Sequence, residues 1–396
     1  MDPRTVLDGP WESPPDADAL VRAALRWHFD PTTGSRFWLD LAPSLGFDPR
    51  ADIAGAADLV RFPDVSARLR TARVDDMVPA GLRATEGPPL VFESGGTTGP
   101  PKRIVDLTFW RRSAHWLSAR LDEHGVPGGH WLYLGPTGPH VAGHLFAMTA
   151  ALRGGACLTV DFDPRWVKRA QPGQLDPYLA HILDQAAWVL AGQAPGVLWA
   201  TPPILVALAD RPDLLARVGA SVHTIVWSGT SATPETLRLL ETEVFPGIRL
   251  VGIYGNTIMG VAPQRPRVPG DEHGCVFRPF HPHSLIELID PDTGAPVGYG
   301  ERGQVRLHHI TLDLFLPNMV ERDTALRIAP VSATGSDRAG GMGGTSRVGG
   351  MGGTSRAGGM GGTSRVGGMG QPSRVDGLAD VRPLPRAGEP VREGVY

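Results

Sequence analysis

The chain has 396 residues, 41% of them hydrophobic, enough to bury the core of one large α/β domain or two smaller ones. A formal net charge of -3 provides no basic excess for a phosphate backbone, so nucleic acid is not an expected partner. The two cysteines, Cys157 and Cys275, stand far apart, which fits a reduced, cytoplasmic compartment and leaves no paired-cysteine metal motif. The N-terminal MDPRTVLDGPWESPPDAD is acidic and lacks the apolar stretch of a secretory signal.

Residues 1–85 read as a helical entry segment, with apolar residues at helical spacing in ALVRAALRWHF and in ADLVRFPDVSARLR. Residues 86–270 alternate apolar strands with helices. The order is PLVFES, a Gly-rich turn and WRRSAHWLSARLDEHG; then HWLYLG and HVAGHLFAMTAALRGG; then ACLTVDF; then HTIVWSGT, PETLRLLETEVF and RLVGIYG. This βα repetition predicts an α/β nucleotide- and substrate-binding core. Residues 188–209 are almost wholly apolar, but Pro195, Pro202 and Pro203 would interrupt a membrane-spanning helix. The stretch reads instead as a buried strand, VLWA, followed by a helix with Thr201 as N-cap and Pro202 at its first position. No membrane is expected as a partner.

Residues 271–330 change character: SLIELIDPDTGAPV and GERGQVRLHHI carry strand–turn–strand signals and predict a small β subdomain. Residues 339–370 repeat a nine-residue Gly-rich unit, AGGMGGTSR alternating with VGGMGGTSR. Calcium-bound β-rolls need a periodic Asp, which this unit lacks, so the composition predicts a disordered linker, with a binding array as the alternative. A short C-terminal segment, 371–396, follows.

The strongest chemical signal is SGGTTGPPKR, Ser94 to Arg103, directly after an apolar strand. Gly95, Gly96 and Gly99 free the backbone to wrap an anion, Ser94, Thr97 and Thr98 offer hydroxyl donors, and Lys102 adds positive charge. The Walker spacing is absent. The loop resembles the phosphate-binding signature of the adenylate-forming superfamily, which includes acyl-CoA synthetases, peptide-synthetase adenylation domains and firefly luciferase. Further segments are similar in order and spacing: IVWSGTSATPETLRLLE, YGNT at 254–257, LPNMVERD ending at Asp323, and GPHVAG containing His140 and Gly143. ADLVRFPDVSARLR resembles the entry of the phenylacetate–CoA ligase branch. The YGNT motif also resembles the adenylating proteins of phenazine antibiotic biosynthesis.

The resemblance implies a large N-terminal domain of βα layers plus a small β subdomain, with the family's C-terminal domain truncated. It implies ATP and Mg²⁺ as cofactors and a small-molecule carboxylic acid as substrate, an aromatic acid with a phenazine carboxylate as one candidate. By carry-over, Lys102, Thr97 and Thr257 serve the phosphates in catalysis, with Ser94 and the loop glycines. Ser228, Gly229, Thr230, Tyr254, Gly255 and Asn256 frame the adenine, Asp323 holds the ribose, and His140, Gly143 and Trp227 border the acid. A reductase or an acyl acceptor protein would collect the product.

Taken singly, several of these residues keep a plainer alternative. Tyr254 reads equally as a core tyrosine, Asp323 as a surface partner of Arg322, and His140 as a solvated loop histidine. Trp227, Phe146 and Trp110 fit a pocket or plain core. The histidines of HPHS, at 281 and 283, and the pair at 308 and 309 lack a completing ligand cluster and read as surface residues.

Three departures from the family pattern stand out. Ile258 occupies the place of the glutamate that helps hold Mg²⁺, which leaves the metal site unknown. The hinge motif is missing after Asp323. The catalytic lysine of the C-terminal domain has no counterpart, leaving Arg327 or Lys102 as partial substitutes. Rival readings are an acyl-CoA ligase, an acyl-protein synthetase (opposed by the lack of any cysteine after Cys275), and a non-catalytic nucleotide- or ligand-binding protein.

Overall fold

The computed structural model describes residues 1–84, 86–94, 100–330 and 376–384. The chain opens with helices α1 (Pro3–Leu7), α2 (Ala17–His28), α3 (Arg36–Leu41) and α4 (Val74–Met77). Asp16 caps α2, its side chain accepting from the amides of Asp18 at 2.8 Å and Ala19 at 3.4 Å. ADLVRFPDVSARLR does not form a regular helix. It breaks into 3₁₀ turns at Ala56–Arg61 and Arg68–Arg70, because Phe62 precedes Pro63 and is forced into an extended conformation. The entry segment is pinned to a distant turn: Trp27 Nε1 donates to the Leu312 carbonyl at 3.0 Å and Trp38 Nε1 to the Phe315 carbonyl at 2.8 Å.

Strands β1 (Leu90–Glu93) and β2 (Arg103–Asp106) form an antiparallel hairpin with Glu93 opposite Arg103. The sequence reading took the Gly-rich loop as a strand-to-helix turn. The structure corrects this, since a second strand intervenes before α5 (Phe109–Glu123). RIVD is too short to show a period of its own, and only its partner strand makes it a strand.

The main sheet contains β3 (Trp131–Leu134), β4 (Cys157–Thr159), β5 (Val197–Ala200), β6 (Thr224–Trp227), β7 (Arg249–Asn256) and β8 (Gly260–Pro263), in the order β4-β3-β5-β6-β7-β8. The first five run parallel and β8 is antiparallel to β7. Strands β3, β5 and β6 are buried along their whole length, which is why their sequences are continuous apolar runs. Between them lie α6 (Val141–Leu152), α7 (Pro164–Arg169), α8 (Leu175–Gly192), α9 (Pro202–Ala209), α10 (Pro212–Ser221) and α11 (Pro234–Leu239). Pro202 begins α9 and Thr201 precedes it as expected, although the threonine side chain makes no capping hydrogen bond. Among the described residues no helix is long and apolar enough to cross a membrane. The chain runs from β3 to one side and then returns to pair β5 on the other, so strand order reverses at β3.

A second, antiparallel sheet holds β9 (Val276–Phe277), β10 (Ser284–Ile289), β11 (Arg302–Ile310), β12 (Phe315–Ile328) and β13 (Gly377–Pro383), in the order β10-β11-β12-β13-β9. The segment after the Gly-rich repeat thus supplies an interior strand. The repeat itself lies outside the described residues. Ile328 and Gly377 are paired, so the intervening residues leave and re-enter the sheet at adjacent positions. His283, His308 and His309 are not surface residues, as their sequence suggested, but 1–2% exposed. His283 and His309 use Nδ1 on the carbonyls of Ile310 at 3.2 Å and Ile258 at 2.7 Å, and His308 Nδ1 accepts from the Asn318 amide at 2.9 Å. Burial of this sheet against α2 and the β8 turn encloses them, and burial pushes the pKa of His283 down to about 3 and that of His309 to about 4.

Candidate active site

The carboxyl ends of β6 and β7 open onto a cavity of about 370 Å³. Trp227, Gly229 and Thr230 come from the end of β6, Tyr254 and Gly255 from β7, and Asp380 from β13. Gly229 has a positive φ of 87°, which lets the chain turn sharply at the cavity wall. Thr230 lines this cavity, and its Oγ1 is buried without a hydrogen-bond partner. Tyr254 is 6% exposed and its hydroxyl donates to Asp323 Oδ2 at 2.9 Å. That bond ties the main sheet to β12. Burial raises the Asp323 carboxyl, while Tyr254 and then Arg322 oppose the rise. Asp323 is therefore a buried carboxylate beside the cavity and not a surface partner of Arg322.

Five of the adenine and substrate candidates, Trp227, Gly229, Thr230, Tyr254 and Gly255, share this cavity, and Ser228 lies between two of them. Asn256 turns its side-chain oxygen onto the amides of Ile258 and Met259, both at 2.8 Å, so that atom serves the β7–β8 turn. Ile258, at the glutamate position, is 1% exposed. Thr257 Oγ1 reaches the Glu93 carbonyl at 3.4 Å.

The Ser94–Arg103 loop is closed at its base, where the Ser94 amide donates to the Lys102 carbonyl at 2.9 Å. Gly95, Gly96, Thr97, Thr98 and Gly99 lie outside the described residues. Lys102 Nζ stands 3.9 Å from Glu321, whose carboxyl burial raises. His140 precedes α6 at the reversal of strand order, and burial and then Arg165 lower its pKa. Gly143 sits close enough to the turn after β3 that a Cβ would meet the Pro136 carbonyl at 3.0 Å. His140 and Gly143 do not line the 370 Å³ cavity. They belong with Glu93, which Arg103 holds at 3.2 Å and Arg165 also engages. Burial would raise the Glu93 carboxyl, and the two arginines hold it below its ordinary value.

Sequence reasoning missed Glu93, Arg165, Lys168, Glu321 and Asp380. Glu93 had a signal in its place directly before Ser94. Glu321 stands two residues before Asp323 within LPNMVERD, and the other three come from segments with no motif. Arg327 pairs with Asp376 at 2.7 Å and lies 4.6 Å from the Tyr299 ring centroid, so its guanidinium is engaged within the second sheet. Among the described residues no group of three or more His, Cys, Asp or Glu could hold a metal ion.

The fold is that of the large domain of adenylate-forming ligases. The chain resembles 2-hydroxyisobutyryl-CoA ligase in its postadenylation state with 2-HIB-AMP, with a TM-score of 0.57 and 16% identity over 79% of this chain and 63% of that one. It matches the same ligase in the thioesterification state, with 2-HIB-AMP and CoA, at the same scores. The open conformation gives a TM-score of 0.55 at 16% identity, covering 79% of this chain and 70% of that chain. The chain thus spans 63% of the length of the first of these structures. No family model matches the chain, and no curated protein matches it.

Proposed function

We propose that this protein activates a carboxylic acid with ATP, forming an acyl-adenylate and releasing pyrophosphate. The observation that carries the reading is the cavity at β6 and β7, where an aromatic ring, a glycine turn and an unpartnered buried hydroxyl stand beside the Tyr254–Asp323 pair. A flat ring with glycine on either wall accepts a base, and the buried carboxylate that Tyr254 holds would accept ribose hydroxyls. Lys102 and the Gly-rich loop would grip the departing pyrophosphate, which is charge stabilisation and positioning. His140 and Gly143, at the reversal of strand order, would border the acid, where open α/β sheets bind ligands. An aromatic acid, including a phenazine carboxylate, is the substrate this reading favours, with Trp227 beside it, and a reductase or acyl acceptor would take the product.

The described residues do not offer Mg²⁺ a protein-held site, because Ile258 is apolar and buried. The ion would enter only as part of the nucleotide, with phosphate oxygens and water as its ligands. The same residue favours a second reading, a nucleotide-binding protein without catalysis. ATP–pyrophosphate exchange separates the two. With a panel of aromatic and aliphatic acids, acid-dependent exchange is expected for at least one. ATP binding without exchange under any acid would leave the non-catalytic reading standing.

A further inference from the structure

The buried histidine pair of β11 splits between two tasks, because neighbouring residues on a strand point to opposite faces. His308 accepts from the Asn318 amide of β12 at 2.9 Å. His309 turns to the main sheet, where its Nδ1 meets the Ile258 carbonyl at 2.7 Å, one residue after Thr257. A carbonyl only accepts, so Nδ1 of His309 carries the proton. Its Nε2 is buried without a hydrogen-bond partner, so the ring is a fixed donor and not a proton relay.

Ser284 stands directly opposite His309 in the β10–β11 register, so both side chains leave the same face of the second sheet. Ser284 Oγ donates to the Met259 carbonyl at 2.5 Å, beside the carbonyl that His309 holds. Asn256 Oδ1 accepts the amides of Ile258 and Met259. Side chains from β7, β10 and β11 thus engage every backbone N–H and C=O of these two residues. The Phe109 ring packs edge-on against His309, with centroids 4.4 Å apart, and the Phe109 amide is itself held by Asp313 at 3.0 Å. Gly260 ends the turn against the same ring, where a Cβ would lie 3.1 Å from Phe109 Cζ.

This turn joins the two halves of the candidate site. Tyr254 and Gly255 precede it in the cavity, and Thr257 Oγ1 reaches from it to the carbonyl of Glu93, the residue before Ser94. The sheet that fastens it also carries Asp323, on β12 beside β11. One rigid element therefore sets both the Asp323 carboxylate and the Thr257 turn.

We propose that His309 is a positioning residue for nucleotide binding: by donating Nδ1–H to the Ile258 carbonyl, with Ser284 beside it, it holds the β7–β8 turn where Thr257 meets the phosphates. This rests on the acyl-adenylate reading above. His309 acts through the turn and touches no substrate. Every group that fastens the turn is protein, so the turn is set before the nucleotide arrives.

The test is calorimetric titration of the full chain with ATP in excess Mg²⁺, for wild type, His309→Leu, His309→Asn and His309→Gln, with His308→Leu as control. Leucine keeps bulk and removes the donor, asparagine places an N–H near the position of Nδ1, and glutamine reaches towards that of Nε2. His309→Leu should raise Kd roughly tenfold at unchanged stoichiometry, as for a turn correctly placed about a tenth of the time. His309→Gln should weaken binding similarly, and His309→Asn should stay within about threefold of wild type. His308→Leu removes an equally buried histidine and should lower Tm without changing Kd. A merely structural loss would lower the stoichiometry and leave Kd alone. Hydrogen exchange of the Ile258 and Met259 amides in the nucleotide-free protein should speed up roughly tenfold in His309→Leu and stay unchanged in His308→Leu. Unchanged Kd in His309→Leu, no rescue by asparagine, or an equal weakening in His308→Leu overturns the assignment of His309 alone. If the leucine variant does not fold, equal affinities of the asparagine and glutamine variants overturn it. Failure of wild type to bind ATP at all overturns the acyl-adenylate reading, and this inference with it.

Discussion

Replacing Tyr254 with Phe keeps the ring beside the cavity and removes only the hydroxyl that donates to Asp323 at 2.9 Å. Both residues are nearly enclosed, at 6% and 8% exposure, so water cannot readily replace the lost donor. A hydrogen bond to a charged group is worth about 1.5–3 kcal/mol, so the expected loss is roughly 2 kcal/mol at pH 8. A domain of this size unfolds with an entropy of roughly 0.7 kcal/mol/K, which converts that loss to about 3 °C in Tm. The pH dependence carries the stronger test. Burial raises the folded Asp323 carboxyl, so its native state favours the proton, and this contribution is fully present at low pH and lost as pH rises. Tyr254 and Arg322 oppose the rise, so Tyr254→Phe pushes the carboxyl higher still. The difference between variant and wild type must then be larger at pH 8 than at pH 4.5, because the lost hydroxyl stabilises only the charged carboxylate. Urea unfolding at the two pH values measures it. An equal loss at both, or none at pH 8, would refute the claim that the hydroxyl stabilises a buried charged carboxylate.

Lys102→Ala should lower ATP–pyrophosphate exchange on the order of a hundredfold, a typical cost for one transition-state charge contact, and unchanged kinetics would remove the loop from the phosphate site. Asp106 is 5% exposed, and its carboxyl is raised by burial and then by Asp313, so its stabilising contribution is present at low pH and lost as pH rises through the raised value. Asp106→Asn mimics the protonated acid and should flatten the stability–pH profile without loss at pH 8; a profile parallel to wild type in urea unfolding counts against this. Gly255→Ala would place a Cβ 2.3 Å from the Gly260 carbonyl oxygen, force β7 and β8 apart, and cost about 1–3 kcal/mol by the same assay. Replacing residues 331–374 with a two-residue turn should preserve the second sheet, because Ile328 and Gly377 already face each other. Loss of β-sheet circular dichroism would show that those residues do more than connect the strands.

The βα layering of the main sheet was legible in the sequence because its strands are buried on both faces. VLWA and TIVW therefore appear as unbroken apolar runs, and proline marks the helix starts at 202 and 234. The cavity residues around Trp227, Thr230 and Tyr254 were legible for a related reason: each sits at the end of such a run, where a chain turning around a ligand needs glycine. Tertiary structure alone decided the rest. RIVD became a strand only by pairing with LVFE, and GLADVRP only by inserting between β12 and β9, across an interruption that local periodicity cannot bridge. His308 and His309 read as surface residues because no ligand cluster accompanied them, yet both faces of that strand are covered. The meeting of Glu93 with Arg103 and Arg165 joins the β1–β2 hairpin to α7, and no spacing rule in the sequence links those two segments. Charge pairs of this kind are set by which strand ends meet in space, and that is determined by the reversal of sheet order and not by any local pattern of residues.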